Sequence, residues 1–278
     1  MKAAIVIQTD FGNGGGSAMR GTCKVVDPAL DIYEINHNIR KFNIPEAARG
    51  LRAVVSYWPS GTVFVSVIDP GVGTSRRACV AKLRNGSYVV TPDNGALTYL
   101  LDSPGIEAVR VIDEKRNRLK GTEKVSIFHG RDLFAYCGAK LASGIIDFEG
   151  VGEEYPVEEI VKFSQLSYEM KKGWVRGYVT DMMRTFGNLE SSVPISAAEK
   201  AGFKVGEMLH VVIKNNEKAV FDACVPYEVS FGYVEKGDEV VYNSSDGVMG
   251  IGINQGNFID KYSIGFGSEW TVELMKED

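Results

Sequence analysis

Residues 43–68 read NIPEAARGLRAVVSYWPSGTVFVSVI. Asn43 can cap a helix, and Pro45 suits its first turn, where an amide hydrogen has no partner within the helix. Ala47, Ala48, Leu51, Val54, Val55 and Trp58 then recur on one side of that helix until Pro59 stops it. After the Ser60-Gly61 turn comes a short, almost wholly apolar run, residues 63–68, which is how a strand buried on both faces reads. Upstream, residues 32–35 form another strand candidate. The order strand, helix, strand predicts an α/β domain with a mainly parallel sheet and helices on its faces. Residues 3–7, 79–82, 87–90 and 108–112 extend the sheet, and a second helix is expected from Arg131 to about Ala142, with Leu133, Phe134, Cys137 and Leu141 on one side.

Further along the chain the texture changes. Residues 144–173 are irregular and carry Glu149, Glu153, Glu154, Glu158 and Glu159, which reads as a connection between domains. From Trp174 onward short strands recur at residues 175–180, 208–213, 218–223 and 239–242, with Gly or Asn between them, a pattern that predicts a sandwich or barrel. The expected architecture is therefore an α/β N-terminal domain over residues 1–165 and a smaller all-β C-terminal domain over residues 174–278. A length of 278 residues accommodates both.

Composition removes several function classes. With 44% hydrophobic and 24% charged residues the chain is neither disordered nor fibrous. The 31 basic and 36 acidic residues give a net charge of -5, and no basic run could neutralise a row of phosphates, which argues against nucleic acid. No apolar run reaches the roughly 18 residues a membrane helix needs. Asp10 interrupts the apolar start, so nothing there reads as a signal peptide. Cys23, Cys79, Cys137 and Cys224 are spaced too widely for a zinc knuckle or a redox CxxC pair, and buried thiols in a reducing cytoplasm are expected. Glycine is the unusual count, 31 of 278 residues; without the period of collagen, that excess marks tight backbone sites.

Three clusters carry candidate chemistry. Asp10, Phe11 and Gly12 close the first strand and lead into a loop GNGGGS before the next helix, the place where an open α/β sheet binds ligands. The spacing fails both GxGxxG and the Walker pattern; a carboxylate there would repel a pyrophosphate but could accept hydrogen bonds from ribose hydroxyls. A plain tight turn remains the alternative. Asp69, Pro70, Gly71, Val72, Gly73, Thr74, Ser75, Arg76 and Arg77 follow the strand at 63–68. Either Asp69 and Arg76 only fasten this loop, or in a cleft the arginine keeps the carboxylate ionised and able to accept from water. Phe128, His129, Gly130, Arg131 and Asp132 stand at a helix start, where a neutral histidine could orient a water, or where Arg131 and Asp132 simply decorate the helix. Of the other histidines, His37 follows a strand and His210 falls within one. A metal held by Asp10, Asp69, His129 and Asp132 is disfavoured by the adjacent arginines. In the second half, Phe186, Gly187 and Asn188 offer a ring beside an amide that could read the edge of adenine, while residues 243–254 could be only a hairpin.

TDFG at 9–12, DPALDIYEINHNI at 27–39, PEAARGL at 45–51, WPSGTVFVSVIDPGVGTSRR at 58–77, TPDNGAL at 91–97, FHGRD at 128–132 and FGN at 186–188 occur in this order. Together they closely resemble the S-adenosylmethionine hydroxide adenosyltransferase family, the SAM hydrolases, relatives of the fluorinase and chlorinase. The resemblance covers almost the whole chain. It implies the same two-domain architecture, a homotrimer with active sites between subunits, and no cofactor or metal. By motif match, Asp69, Arg76 and His129 would orient the attacking water. Asp10 would hold the ribose hydroxyls, Phe42 would form an apolar wall, Phe186 and Asn188 would recognise adenine, and Ser245 with the backbone near Ile253 would complete the pocket. Three stretches depart from the family pattern: GNGGGS follows TDFG, Met183, Arg184 and Thr185 precede Phe186 where an acid is expected, and Met249, Gly250, Ile251 and Gly252 replace a segment with a glutamate. These bear on how the methionine end is held.

The implied reaction is hydrolysis of S-adenosyl-L-methionine to adenosine and L-methionine by in-line attack of water at C5′. A sulfonium leaves as a neutral thioether, so no general acid is required and only the nucleophile needs positioning. The alternatives are a hydrolase of another adenosyl sulfonium or 5′-substituted adenosine, or a binding protein without catalysis.

Overall fold

The computed structural model describes residues 2–276. The chain divides into two compact units between Phe163 and Ser164.

In the first unit, β1 (Ile5–Thr9), β2 (Ile32–Asn36), β3 (Val63–Val67), β4 (Ala78–Leu83), β5 (Tyr88–Pro92), β6 (Ile106–Val111) and β7 (Glu154–Tyr155) form one sheet in the order β2-β1-β3-β5-β4-β6-β7. Only the half built from β2, β1, β3 and β5 is parallel; β5 to β4, β4 to β6 and β6 to β7 are antiparallel. The expected mainly parallel sheet is therefore corrected to a mixed one. The cause is local, because β4 and β5 are joined by the tight Asn85-Gly86 turn, with Gly86 at φ +84 and the Asn85 side chain accepting from the Ser87 amide. So short a link can only return the chain antiparallel.

Helix α1 (Gly12–Val26) packs on one face of this sheet and α2 (Ile44–Val54) on the other. Alternation along the strands explains the all-apolar runs: Ile5, Ile7, Val63, Val65 and Val67 share a core with Met19 and Cys23 of α1, while Val6 and Phe64 pack with Leu51 of α2. Asn43 caps α2 by accepting from the Glu46 amide, as its sequence predicts. A short helix, α3 (Glu114–Asn117), precedes a π-helical turn (Gly130–Ala135) that runs on as α4 (Tyr136–Ala142), which buries Leu133, Phe134 and Cys137. The acidic stretch after α4 is not only a connection, since β7 within it pairs with β6, and Arg77, Tyr155 and the Val161 amide all converge on the buried Asp93 carboxylate.

The second unit is an antiparallel sheet throughout: β8 (Glu169–Lys171), β9 (Trp174–Met183), β10 (Asn188–Pro194), β11 (Met208–Asn215), β12 (Lys218–Pro226), β13 (Glu239–Asn243), β14 (Val248–Ile253) and β15 (Trp270–Lys276). The order runs β12-β11-β15-β9-β10-β14-β13, and a bridge from Tyr227 to Val241 brings the two edge strands together, so the sheet nearly closes into a barrel. Helices α5 (Ile195–Ala201) and α6 (Phe258–Tyr262) pack against its core. Cys23, Cys79 and Cys137 are buried, but Cys224 is exposed on β12, contrary to the expectation for all four thiols; it lies on the outward side of an edge strand, beside the exposed Asp222. Among the described residues no helix is long and apolar enough to cross a membrane.

Candidate active site

Strands β1 and β3 lie side by side and parallel, in a register that sets Thr9 opposite Val67. Their C-terminal ends therefore deliver Asp10 and the loop starting at Asp69 to the same edge of the sheet, where open α/β sheets place ligands. The Asp69 loop folds back on itself through hydrogen bonds from the Val72 amide to the Asp69 carbonyl and from the Thr74 hydroxyl to the Gly71 carbonyl. That reversal carries Arg76 back over the carboxylate. Its Nε lies 3.0 and 3.1 Å from the two Asp69 oxygens, and one Nη lies 2.5 Å from Oδ2. The same Nη stands 3.0 Å from Nδ1 of His129. Both sides of the pair are well buried, with 4% of the Asp69 side chain and 11% of the Arg76 side chain exposed.

A guanidinium has no acceptor, so the contact to Nδ1 fixes the histidine tautomer: Nδ1 accepts, and a neutral ring carries its proton on Nε2. Burial, and then the positive charge of Arg76, lower the His129 pKa below the ordinary histidine value of 6.5, keeping it neutral. The ring stands at the entrance to the π-helical turn, and Arg76 also stacks 5.1 Å over the Phe134 ring of that turn. Gly130 follows because a Cβ there would approach the Phe11 ring to 2.5 Å. The neighbouring charges are otherwise engaged: Arg131 grips the buried Asp132 through both oxygens, and Arg77 turns away to Asp93 and Glu159. Adjacent arginines in the sequence thus serve different ends.

Asp10 accepts from the Phe42 amide at 2.9 Å. Phe42 adopts a left-handed φ of +64 and leaves 67% of its surface exposed. A bulky residue held in that conformation stores strain of the kind found at ligand sites. The run Gly14 to Gly16 is not the expected loop but lies within α1, which begins at Gly12. Close packing accounts for two of the three, since a Cβ on Gly15 would come within 2.3 Å of Phe11 and one on Gly16 within 2.4 Å of the His37 ring, whereas one on Gly14 would meet open space. His37 is itself pinned by Thr9, whose hydroxyl lies 2.9 Å from Nδ1.

In the second unit a cleft of about 710 Å³ is lined by Met183, Phe186, Asn188, Phe231, Tyr242, Ser244, Ser245, Ile253 and their neighbours. It brings together the four candidates named there from sequence, Phe186, Asn188, Ser245 and Ile253. Residues 243–254 do form a hairpin, β13 to β14, and that hairpin builds one wall. Its glycines have steric work, because a Cβ at Gly252 would meet the Asn188 amide at 2.4 Å and one at Gly250 the Tyr242 ring at 2.6 Å. Sequence reasoning missed the polar floor of the cleft. Glu190 on β10 is buried and accepts a hydrogen bond from the Ser244 hydroxyl. The Tyr242 hydroxyl is buried beside Glu190 and Asn188; burial and then the nearby Glu190 push its pKa up to about 12, against a smaller lowering by the Asn188 side chain. The signal was present only as an acid in an otherwise uncharged strand, NLESSVP.

Residues 5–152 match the SAM hydroxide adenosyltransferase N-terminal domain and residues 182–271 the corresponding C-terminal domain. An (R)-S-adenosyl-L-methionine hydrolase of Methanocaldococcus jannaschii is 37% identical over 167 residues, which are 58% of this chain and 59% of that protein. A protein of the same name from Thermus thermophilus is 32% identical over 83% of each chain, and a fluorinase of an Actinoplanes species is 26% identical over 96% of each. Among solved structures, an uncharacterized conserved protein from Thermotoga maritima superposes with a TM-score of 0.84 at 30% identity, covering 98% of this chain and 100% of that one.

Proposed function

The chain belongs to the SAM hydroxide adenosyltransferase family, and from that premise we propose that it hydrolyses S-adenosyl-L-methionine to adenosine and L-methionine. Water attacks C5′ in line with the C5′–sulfur bond; that bond breaks with its electron pair going to sulfur, and methionine leaves as a neutral thioether. The observation that carries this reading is the single guanidinium of Arg76 engaging both Asp69 and His129. Asp69 accepts a hydrogen bond from the water and takes its proton as the new C–O bond forms. His129, with Nδ1 turned to Arg76, donates from Nε2 and fixes the direction of the water's lone pairs. Histidine is thus an orienting group and the carboxylate is the base. Holding water in a near-attack position is worth several kcal/mol of the barrier.

Charge separates hydrolysis from halide transfer. The fluorinase relative is named for a reaction with an anion, whereas the Asp69 carboxylate would repel an anion at the nucleophile position. Asp10, beside the exposed Phe42 ring, holds the ribose hydroxyls; Phe186 and Asn188 recognise adenine, with Ser245 and the backbone at Ile253 completing that cleft. A homotrimer in the cytoplasm with active sites between subunits is the assembly this reading expects, and a light-scattering mass of three chains tests it. Turnover of SAM in ¹⁸O-water tests the reaction, with label expected at the 5′ oxygen of adenosine and abolished by Asp69→Ala. Adenosine that binds while SAM persists would point instead to a binding protein.

A further inference from the structure

In the sheet of the first unit β5 lies between β3 and β4, parallel to the one and antiparallel to the other. The chain that leaves β3 at Val67 and enters β4 at Ala78 must therefore cross the C-terminal end of β5. This crossing loop carries Asp69 and Arg76. The residues directly after β5, Asp93 and Asn94, meet it at both ends. The Asn94 side-chain amide donates at 2.9 Å to the Ile68 carbonyl, one residue before Asp69. The Asp93 amide donates at 2.9 Å to the Arg77 carbonyl, one residue after Arg76. The Asp93 carboxylate also accepts from Arg77 Nε at 2.9 Å, so residue 77 is held by its main chain and its side chain at once.

That carboxylate is itself fixed. None of the Asp93 side chain is exposed. It accepts in addition from the Tyr155 hydroxyl at 3.1 Å and the Val161 amide at 2.9 Å, while the Arg77 guanidinium lies 4.2 Å over the Tyr155 ring. A buried network satisfied in this way is rigid. Side chains on successive residues leading into a strand point to opposite sides, so drawing Arg77 to Asp93 turns Arg76 the other way, over Asp69. Resting on the reading that Asp69, Arg76 and His129 orient the attacking water, we infer that Asp93 and Asn94 are positioning residues, which hold the two ends of the loop so that the Asp69 carboxylate and the Arg76 guanidinium stand in register with the water. Both act through the loop and not on the substrate. A misplacement of about 1 Å at a reacting group can cost about 100-fold in rate. With one anchor gone and the loop's own hydrogen bonds kept, a loss of about tenfold is expected.

Asn94→Ala and Asp93→Asn, each alone and each combined with Arg76→Lys, test this in the full-length protein. Single-turnover formation of adenosine from SAM, adenosine binding by calorimetry and the melting temperature are read for every variant. Each single variant should slow turnover about tenfold while adenosine affinity stays within about threefold. In the Arg76→Lys background the same changes should cost less than about threefold, because the geometry they maintain is already lost. A full tenfold loss in that background would place their effect elsewhere and overturn the inference. So would unchanged turnover in the folded single variants, or a loss of adenosine affinity as large as the loss of rate. Should Asp93→Asn fail to fold, Asn94→Ala decides, being at a half-buried position; loss of the fold there as well would make the segment a fold element and overturn the inference. If the parent leaves SAM intact, or Arg76→Lys turns it over at the parent's rate, the water-orienting reading itself fails and this inference with it.

Discussion

Replacing Arg76 with lysine keeps the charge and removes the geometry. In the native side chain Nε faces both Asp69 oxygens at 3.0 and 3.1 Å, while one Nη holds Oδ2 at 2.5 Å and Nδ1 of His129 at 3.0 Å. A lysine ammonium is a single nitrogen at the end of a flexible stem, so it can neutralise the carboxylate but cannot hold a carboxylate edge and an imidazole together. The lost contacts are buried and charge-assisted, each worth about 1.5–3 kcal/mol. A loss of roughly 3 kcal/mol in positioning the carboxylate and the ring corresponds to a fall of about 100-fold in kcat. The adenine cleft is built by other residues, so adenosine affinity should stay within about threefold, well under the tenfold that 1.4 kcal/mol represents. Single-turnover formation of adenosine from SAM, adenosine binding by calorimetry and a melting curve together read these quantities. A folded Arg76→Lys protein whose kcat stays within about threefold of the parent, a barrier change under about 1 kcal/mol, would refute the argument that one guanidinium sets up the water.

Acidification acts on His129, whose pKa is lowered by burial and by Arg76. Between that depressed value and the ordinary 6.5, the unfolded chain binds the proton more readily than the folded one, so stability rises with pH there and is lost as pH falls below about 6.5. His129→Gln should flatten this part of a melting-temperature profile and lower kcat more than adenosine affinity; a profile identical to the parent's would remove His129 from the account. Gly16→Ala sets a Cβ 2.4 Å from His37 and should cost about 1–3 kcal/mol, seen as a melting point several degrees lower. An unshifted melting point would mean that α1 is free to move away from that ring. Asn188→Ala should weaken adenosine about tenfold or more while the Arg76, Asp69 and His129 cluster stays intact, and calorimetry showing unchanged affinity would displace the adenine from this cleft.

The local elements were legible because their causes are local. Asn43 and Pro45 start α2, and the apolar runs of β1 and β3 mark strands covered on both faces. Less legible were features whose cause is an opposing surface. Gly14 to Gly16 read as a loop, yet they lie within α1, where Phe11 and His37 occupy the space a side chain on Gly15 or Gly16 would need. The Asn85-Gly86 turn was a readable sign that β4 and β5 pair antiparallel, and the strand, helix, strand order outweighed it. Glu190 stood out only as the one acid in its strand, and a lone acid takes its meaning from Ser244, which the fold brings to it.

By itself, the sequence determined that α2 and the doubly covered strands β1 and β3 form, and which short motifs carry carboxylate, guanidinium and imidazole. Those properties depend on dihedral preferences and periodicities that act over a few residues. Only the tertiary structure decided that one guanidinium nitrogen of Arg76 touches both Asp69 and His129 while Arg77 turns to Asp93 and Glu159, and that Glu190 meets Ser244, 54 positions on. Such pairings follow from how strands close and loops return. Hydrogen bonding and charge then act over a few ångströms whatever the separation along the chain.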